Sequence, residues 1–116
     1  MITKNGIITN TTLGVEDHSL MSFMLTVDFG GYSQGVGGYR LDEWNKIEKR
    51  CKGTAMGLDM VIQILDVLGV GSWEKLQGTV IRVQYDDDGT TPLGIGHFVK
   101  DKWLNFSDFT KSWGIK

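Results

Sequence analysis

The stretch that decides the fold runs from residue 20 to residue 39 and reads LMSFMLTVDF followed by GGYSQGVGGY. In its first half, large apolar side chains recur at every second position, namely Met21, Phe23, Leu25, Val27 and Phe29. This period of two residues predicts a β-strand with one buried face. The second half holds five glycines in ten positions, and the Gly30-Gly31 pair predicts a turn that folds it back onto the strand.

The glycine-rich half is open to two interpretations. Glycine has no Cβ, so the segment Gly35-Val36-Gly37-Gly38 suits either a bulged strand or a flat surface that a ligand approaches closely. A phosphate-binding loop would need a helix directly after the glycines, and the sequence that follows has no helical pattern. The bulged strand is therefore favoured, and a recognition surface with Tyr32, Tyr39 and Arg40 is the alternative.

The flanking segments extend this strand pair into a mixed fold. Upstream, residues 7–15 are rich in threonine and isoleucine and predict a first strand, which gives a three-stranded antiparallel meander. Downstream, Leu41 to Lys52 is charged and irregular, which predicts a turn or a short helix. Thr54 is then a suitable N-cap for a helix that ends near Leu68, before Gly69. The apolar spacing predicts that one stripe of this helix is buried, formed by Leu58, Val61, Ile62, Leu65 and Leu68.

The last third of the chain alternates again between residues 79 and 85. A polar loop at 86–92 and a second strand at 94–100 complete a C-terminal hairpin, and a short helix is predicted over residues 107–113. The predicted fold is a small single α+β domain over residues 1–116. It consists of an antiparallel β-meander, one main helix packed on the sheet and a C-terminal β-hairpin.

Composition argues against several classes of function. Twelve basic and fourteen acidic side chains give a net charge of −2, whereas a dedicated duplex-DNA binder carries a basic excess. No apolar run approaches the ~20 residues that span a membrane, and the first residues lack the apolar core of a signal peptide. We therefore expect a soluble cytoplasmic protein without membrane contact. The single cysteine, Cys51, excludes an internal disulfide and cysteine-based zinc sites.

No catalytic or metal-binding pattern is present in the sequence. The only histidines are His18 and His97, and neither belongs to a nucleophile elbow or a His-Glu-x-x-His pair. The run Asp86-Asp87-Asp88-Gly89 resembles the start of a calcium loop, but His97 stands where the twelfth-position glutamate is needed. We expect a protein that is not an enzyme and has no catalytic residue, metal or cofactor.

Four segments resemble small, uncharacterised proteins encoded by bacteriophages and prophages. These segments are residues 13–18 (LGVEDH), 35–42 (GVGGYRLD), 69–78 (GVGSWEKLQG) and 95–103 (IGHFVKDKW). The resemblance implies a phage-encoded accessory protein that acts in the host cytoplasm. It further implies an anti-defence role, of the kind that anti-CRISPR proteins have, in which the protein binds and blocks a host protein or ribonucleoprotein complex.

The leading hypothesis is a non-enzymatic inhibitor that occupies a nucleic-acid-binding site or a subunit interface of such a complex. Acidic side chains suit the first mode because they compete with phosphates for a basic channel. The alternatives are a sponge that sequesters a nucleotide defence signal and a single-stranded nucleic-acid-binding protein that stacks bases on Tyr32 and Tyr39 beside Arg40. The predicted partner-binding residues are Glu16, Asp17, Tyr32, Tyr39, Arg40, Asp86, Asp87 and Asp88. The oligomeric state stays open.

Overall fold

The structure is a computed structural model that describes residues 2–15 and 20–114. Two of the predicted partner-binding residues, Glu16 and Asp17, therefore lie outside the described residues. The strands are β1 (Ile2–Val15), β2 (Met21–Asp28), β3 (Ser33–Arg40), β4 (Asp42–Asn45), β5 (Arg50–Gly53), β6 (Val80–Tyr85), β7 (Pro92–His97) and β8 (Trp103–Asn105). The helices are α1 (Ala55–Leu68), α2 (Phe106–Ser112) and a single 3-10 turn (Trp73–Lys75).

Six of these strands form one antiparallel sheet in the order β3-β2-β1-β6-β7-β8. The predicted meander is confirmed as β1-β2-β3, and the α+β class is confirmed with it. The predicted C-terminal hairpin is only part of the observed arrangement. Strand β6 pairs with β1, so that β6, β7 and β8 extend the same sheet, and α2 follows directly as a second helix.

The prediction of an irregular turn or short helix over residues 41–52 is wrong. The segment forms the two-stranded β4–β5 hairpin instead. Its turn is held by Asn45, whose Oδ1 accepts hydrogen bonds from the backbone N–H groups of Ile47 and Glu48 at 3.0 and 2.8 Å. An asparagine that bonds to the backbone two and three residues ahead stabilises a turn locally. The dense charge of the segment conceals this signal in the sequence.

The glycines of β3 make room for side chains of β2. Gly37 and Gly38 have φ values of 124° and 82°, and the β2–β3 register shifts opposite them, which confirms the bulged strand. A Cβ on Gly37 would lie 2.6 Å from the ring of Phe23, and a Cβ on Gly35 would lie 2.9 Å from the sulfur of Met24. The space above these glycines is therefore already filled by the neighbouring strand.

Helix α1 has the predicted ends but buries a different face. The Oγ1 of Thr54 accepts a hydrogen bond from the N–H of Gly57 at 2.9 Å, and Gly69 ends the helix with φ 74°. In the predicted stripe, however, Leu58 is 65% exposed and Ile62 is 51% exposed. The buried positions of the helix are Gly57, Met60, Ile64, Val67 and Leu68, while Val61 and Leu65 are half-buried.

The rotation of α1 is set by a backbone contact at Gly57. An added Cβ there would lie 2.8 Å from both the Cα and the carbonyl carbon of Leu41, and closer still to the carbonyl oxygen. Only a glycine can face the chain at this distance, so Gly57 turns inward. Positions 60, 64 and 67 follow it to the inside at helical spacing. Both faces of α1 are apolar, which is why periodicity alone indicates the wrong one.

The sheet curves around the core, and its two ends approach each other. The ring of Tyr39 in β3 lies 4.8 Å from the ring of Phe106, which directly follows β8. Inside this curve lies one continuous core built from the inward side chains of all six strands and of α1. The molecule is elongated, at 46 × 26 × 26 Å, and β1 has 14 residues, enough to run along the long axis.

Candidate partner-binding surface

One end of the molecule brings together two predicted sites that are far apart in the sequence. The Nζ of Lys4 donates a hydrogen bond to the hydroxyl of Tyr32 at 3.2 Å and another to the carbonyl of Gly89 at 3.1 Å. The same ammonium lies 4.6 Å from the ring centroid of Tyr85. Lys4 thus ties the turn after β2 to the loop after β6. We refer to Tyr32, Asp86, Asp87 and Asp88 as the acidic–aromatic patch.

A buried layer supports this patch from below. Tyr85 is fully buried, and its hydroxyl donates a hydrogen bond to Oε1 of Gln34 at 2.7 Å. The Nε2 of Gln34 in turn donates to the carbonyl of Thr90 at 3.1 Å. Burial raises the pKa of Tyr85 to about 12, so its hydroxyl remains a donor at neutral pH. Because the Tyr85 hydroxyl and both ends of the Gln34 side-chain amide have hydrogen-bond partners, the loop is held in one position.

The three aspartates of the patch have different roles. Asp86 closes the loop, because its Oδ1 accepts hydrogen bonds from the backbone N–H groups of Thr90 and Thr91 at 3.1 and 3.2 Å. These bonds, the one from Thr91 first, lower the pKa of Asp86. Asp87 and Asp88 are exposed at the tip of the loop. The loop therefore presents an exposed carboxylate to a partner at Asp88.

Tyr32 is the aromatic member of the patch and is 50% exposed. Its ring stacks on Phe29 with centroids 5.3 Å apart, and its hydroxyl accepts the hydrogen bond from Lys4, so the ring is held in place while half of the residue stays exposed. An anchored aromatic ring loses little conformational freedom when a partner covers it, and such rings commonly contribute strongly to binding.

Tyr39 and Arg40 lie at the opposite end of β3, roughly 20 Å from Tyr32 at ~3.3 Å per residue. Tyr39 is half-buried between Phe23 and Phe106, with ring centroids 6.4 and 4.8 Å away, and burial raises its pKa. The two tyrosines therefore lie at opposite ends of β3 and do not form one continuous stacking surface. The side chains of Phe23 and Met24 fill the space beside the β3 glycines between the two tyrosines, so no cleft is left there for a nucleotide.

Arg40 is held in an ion pair next to the core. Its Nε donates to Oδ1 of Asp42 at 2.8 Å, and the other oxygen of this buried carboxylate accepts from the backbone N–H of Met21 at 3.2 Å. Burial by itself raises the pKa of Asp42, but the bonds from Arg40 and Met21 outweigh it, and the pKa is lowered. Removing Arg40 would leave a buried carboxylate without its cation, which gives this arginine a structural role.

His97 has a role in the fold. His97 accepts hydrogen bonds at Nδ1 from the N–H groups of Val99 and Lys100, at 3.0 and 2.9 Å, and so shapes the β7–β8 turn. Within residues 2–15 and 20–114, no group of three or more His, Cys, Asp or Glu side chains is arranged to hold a metal ion. In the same part of the chain, no helix is both long and apolar enough to cross a membrane.

Sequence reasoning missed a second surface, an apolar groove beside the first turn of α1. The groove has a volume of about 230 Å³ and is lined mainly by Leu13, Met21, Leu41, Leu58 and Val61. It exists because α1 turns its second apolar stripe outward. The signal that could have revealed it is the surplus of apolar residues on α1, more than one buried stripe requires.

Comparisons with protein-family models, curated proteins and solved structures find no match to this chain. The resemblance to phage and prophage proteins therefore remains a prediction.

Proposed function

We propose that this chain is a non-catalytic binding protein that inhibits a host defence complex by occupying a basic, nucleic-acid-binding site with the acidic–aromatic patch. The observation that carries the proposal is the position of Lys4, which holds Tyr32 beside the loop that exposes Asp87 and Asp88. The defence context comes from the resemblance to phage-encoded proteins. The mode of binding comes from the chemistry of the patch.

The chemistry of the patch matches that of a nucleic-acid strand in two respects. Carboxylates at the tip of the loop present negative charge, as phosphates do, and a basic channel attracts them over several ångströms. Beside them, the half-exposed ring of Tyr32 offers an aromatic group to a pocket that accepts a base. The hydrogen bonds of Lys4 and Gln34 fix the loop before binding, which reduces the entropy lost on association.

The test is competition for nucleic acid on a purified defence ribonucleoprotein from the host. We expect the chain to displace a labelled guide-complementary oligonucleotide, and we expect added salt to weaken its binding because charge contributes to the contact. Asp88→Lys should weaken binding about tenfold or more, and Tyr32→Ala by a similar factor. Glu74→Lys makes the same charge change at another exposed carboxylate and should alter binding less than about twofold.

Equal losses from Asp88→Lys and Glu74→Lys would show that only the net charge matters, and would refute the patch as the contact surface. Binding without displacement of the oligonucleotide would refute occupation of the nucleic-acid site. In cells, expression of the chain should raise phage plating on a host that carries the complex, and Asp88→Lys should abolish this effect.

A further inference from the structure

The β4–β5 hairpin carries an unusually exposed apolar tip. Ile47 is 92% exposed at the centre of the turn, and Trp44 in β4 is 56% exposed. The turn is ordered, because Asn45 bonds to the backbone of the next residues and the N–H of Lys49 donates to the carbonyl of Asn45 at 2.8 Å. An aliphatic and an aromatic side chain held outward on a fixed hairpin are typical of an interface anchor.

The apolar groove lies at the base of this same hairpin. Leu41 and Thr54, which flank the hairpin on either side, both line the groove, and so does Gly53 at the end of β5. On its other side the groove continues onto the exposed stripe of α1 at Leu58 and Ile62. A volume of about 230 Å³ is enough to take one or two large apolar side chains.

The charges around these two features are opposite in sign. The hairpin carries Lys46, Lys49, Arg50 and Lys52 against Glu43 and Glu48, since Asp42 is buried on Arg40. Helix α1 has no basic residue, and of its two carboxylates Asp66 is paired with Lys102 at 3.2 Å, which leaves Asp59, next to Leu58 in the sequence, as the charge for a docked hairpin. A hairpin placed against α1 would therefore bring opposite charges together, whereas two α1 helices placed face to face would bring like charges together.

From these observations we propose that the chain forms a two-fold symmetric dimer in which the hairpin of each copy docks in the apolar groove of the other. An anchor and a groove that adjoin each other in one chain form a self-complementary surface, so one two-fold axis satisfies both contacts at once. The proposal does not depend on the proposed function, because the acidic–aromatic patch lies elsewhere.

The first test is the mass of the full chain by sedimentation over a range of concentrations. We expect a species of twice the 12.9 kDa chain mass. Ile47→Gln and Leu58→Gln should each raise the dissociation constant about thirtyfold or more, since each removes an apolar contact from both halves of the interface. Val99→Gln is the matched control, because Val99 is a 78% exposed apolar residue outside the groove. This substitution should change the dissociation constant less than about twofold.

A mixture of the two variants gives the sharper test. A mixed dimer retains one intact contact, in which the Ile47 of the Leu58→Gln copy meets the unchanged groove of the Ile47→Gln copy. The mixture should therefore associate more tightly than either variant alone. Urea midpoints of all three variants, measured at concentrations below the dissociation constant where every chain is monomeric, should match the parent because the altered side chains are exposed in the single chain. A monomeric parent chain, a dimer that survives both variants, a control variant that dissociates equally, or a mixture no tighter than its components would each overturn the proposal.

Discussion

Replacing Gly57 by alanine tests the contact that orients α1. In ordinary helices this change stabilises by about 1 kcal/mol, because alanine has the higher helix propensity. Here the new methyl group would meet the backbone of Leu41, at 2.8 Å from its Cα and carbonyl carbon. The carbonyl oxygen of Leu41 is already fixed by hydrogen bonds from the N–H and the Oγ1 of Thr54, both at 3.2 Å.

The two effects oppose each other, and their magnitudes decide the outcome. Ordinary contacts of a Cβ begin near 3.4 Å, so α1 or the Leu41 segment must move by more than half an ångström. Overpacking of this kind costs typically about 1–3 kcal/mol, and a backbone atom that cannot rotate away places Gly57 at the upper end of that range. After the gain in helix propensity is subtracted, we expect the free energy of unfolding to fall by about 2 kcal/mol.

Urea denaturation followed by circular dichroism measures this change directly. Gly71→Ala is the control, since no heavy atom lies within 4 Å of its Cβ position, and it should leave stability unchanged or raise it by less than about 1 kcal/mol. If Gly57→Ala is as stable as the parent, the gain in helix propensity equals or exceeds the cost of the contact with Leu41. The close approach of α1 to Leu41, and with it our account of which face is buried, would then be wrong.

Two further predictions concern stability. Ile64→Ala should lower the free energy of unfolding by about 2–5 kcal/mol because the side chain is fully buried, whereas Leu58→Ala should lower it by less than about 1 kcal/mol. Urea denaturation of both variants measures the difference, and the reverse order would contradict the observed buried face of α1. Between pH 10 and about 12, the unfolded chain loses the phenol proton of Tyr85 while the folded chain keeps it, so the free energy of unfolding should fall as the pH rises through this window. In Tyr85→Phe this alkaline loss should shrink in urea titrations at several pH values, and an unchanged loss would show that other groups cause it.

The strand pattern and the helix ends could be predicted because they depend on local chemistry. Phe23, Leu25 and Val27 alternate with more polar neighbours, and Thr54 and Gly69 have the side-chain and backbone properties that begin and end a helix. The buried face of α1 could not be predicted in this way. Two apolar stripes satisfy the same periodicity, and a long-range contact at Gly57 chooses between them.

The residues of the acidic–aromatic patch could be predicted from the sequence, but their proximity in the fold could not. Tyr32 and Asp86–Asp88 stand out in the sequence as an aromatic beside glycines and as a run of acids. Their proximity depends on Lys4, a residue near the start of β1 that no local pattern distinguishes. Arg40 was predicted as a partner-binding residue, but in the structure it forms an ion pair with Asp42 at the start of the hairpin after β3.

The two proposed surfaces lie near opposite ends of β1. Lys4, which organises the acidic–aromatic patch, is near its first residue, and Leu13, which lines the groove, is near its last. A dimer built through the groove would therefore keep both patches accessible and hold them far apart on one rigid body. Two linked contacts raise the effective affinity for a partner that has two suitably spaced basic sites, without any new interaction. Loss of the dimer through Ile47→Gln should then weaken binding to such a partner while leaving binding to a single isolated site unchanged. Equal losses in both assays would mean that the hairpin itself touches the partner.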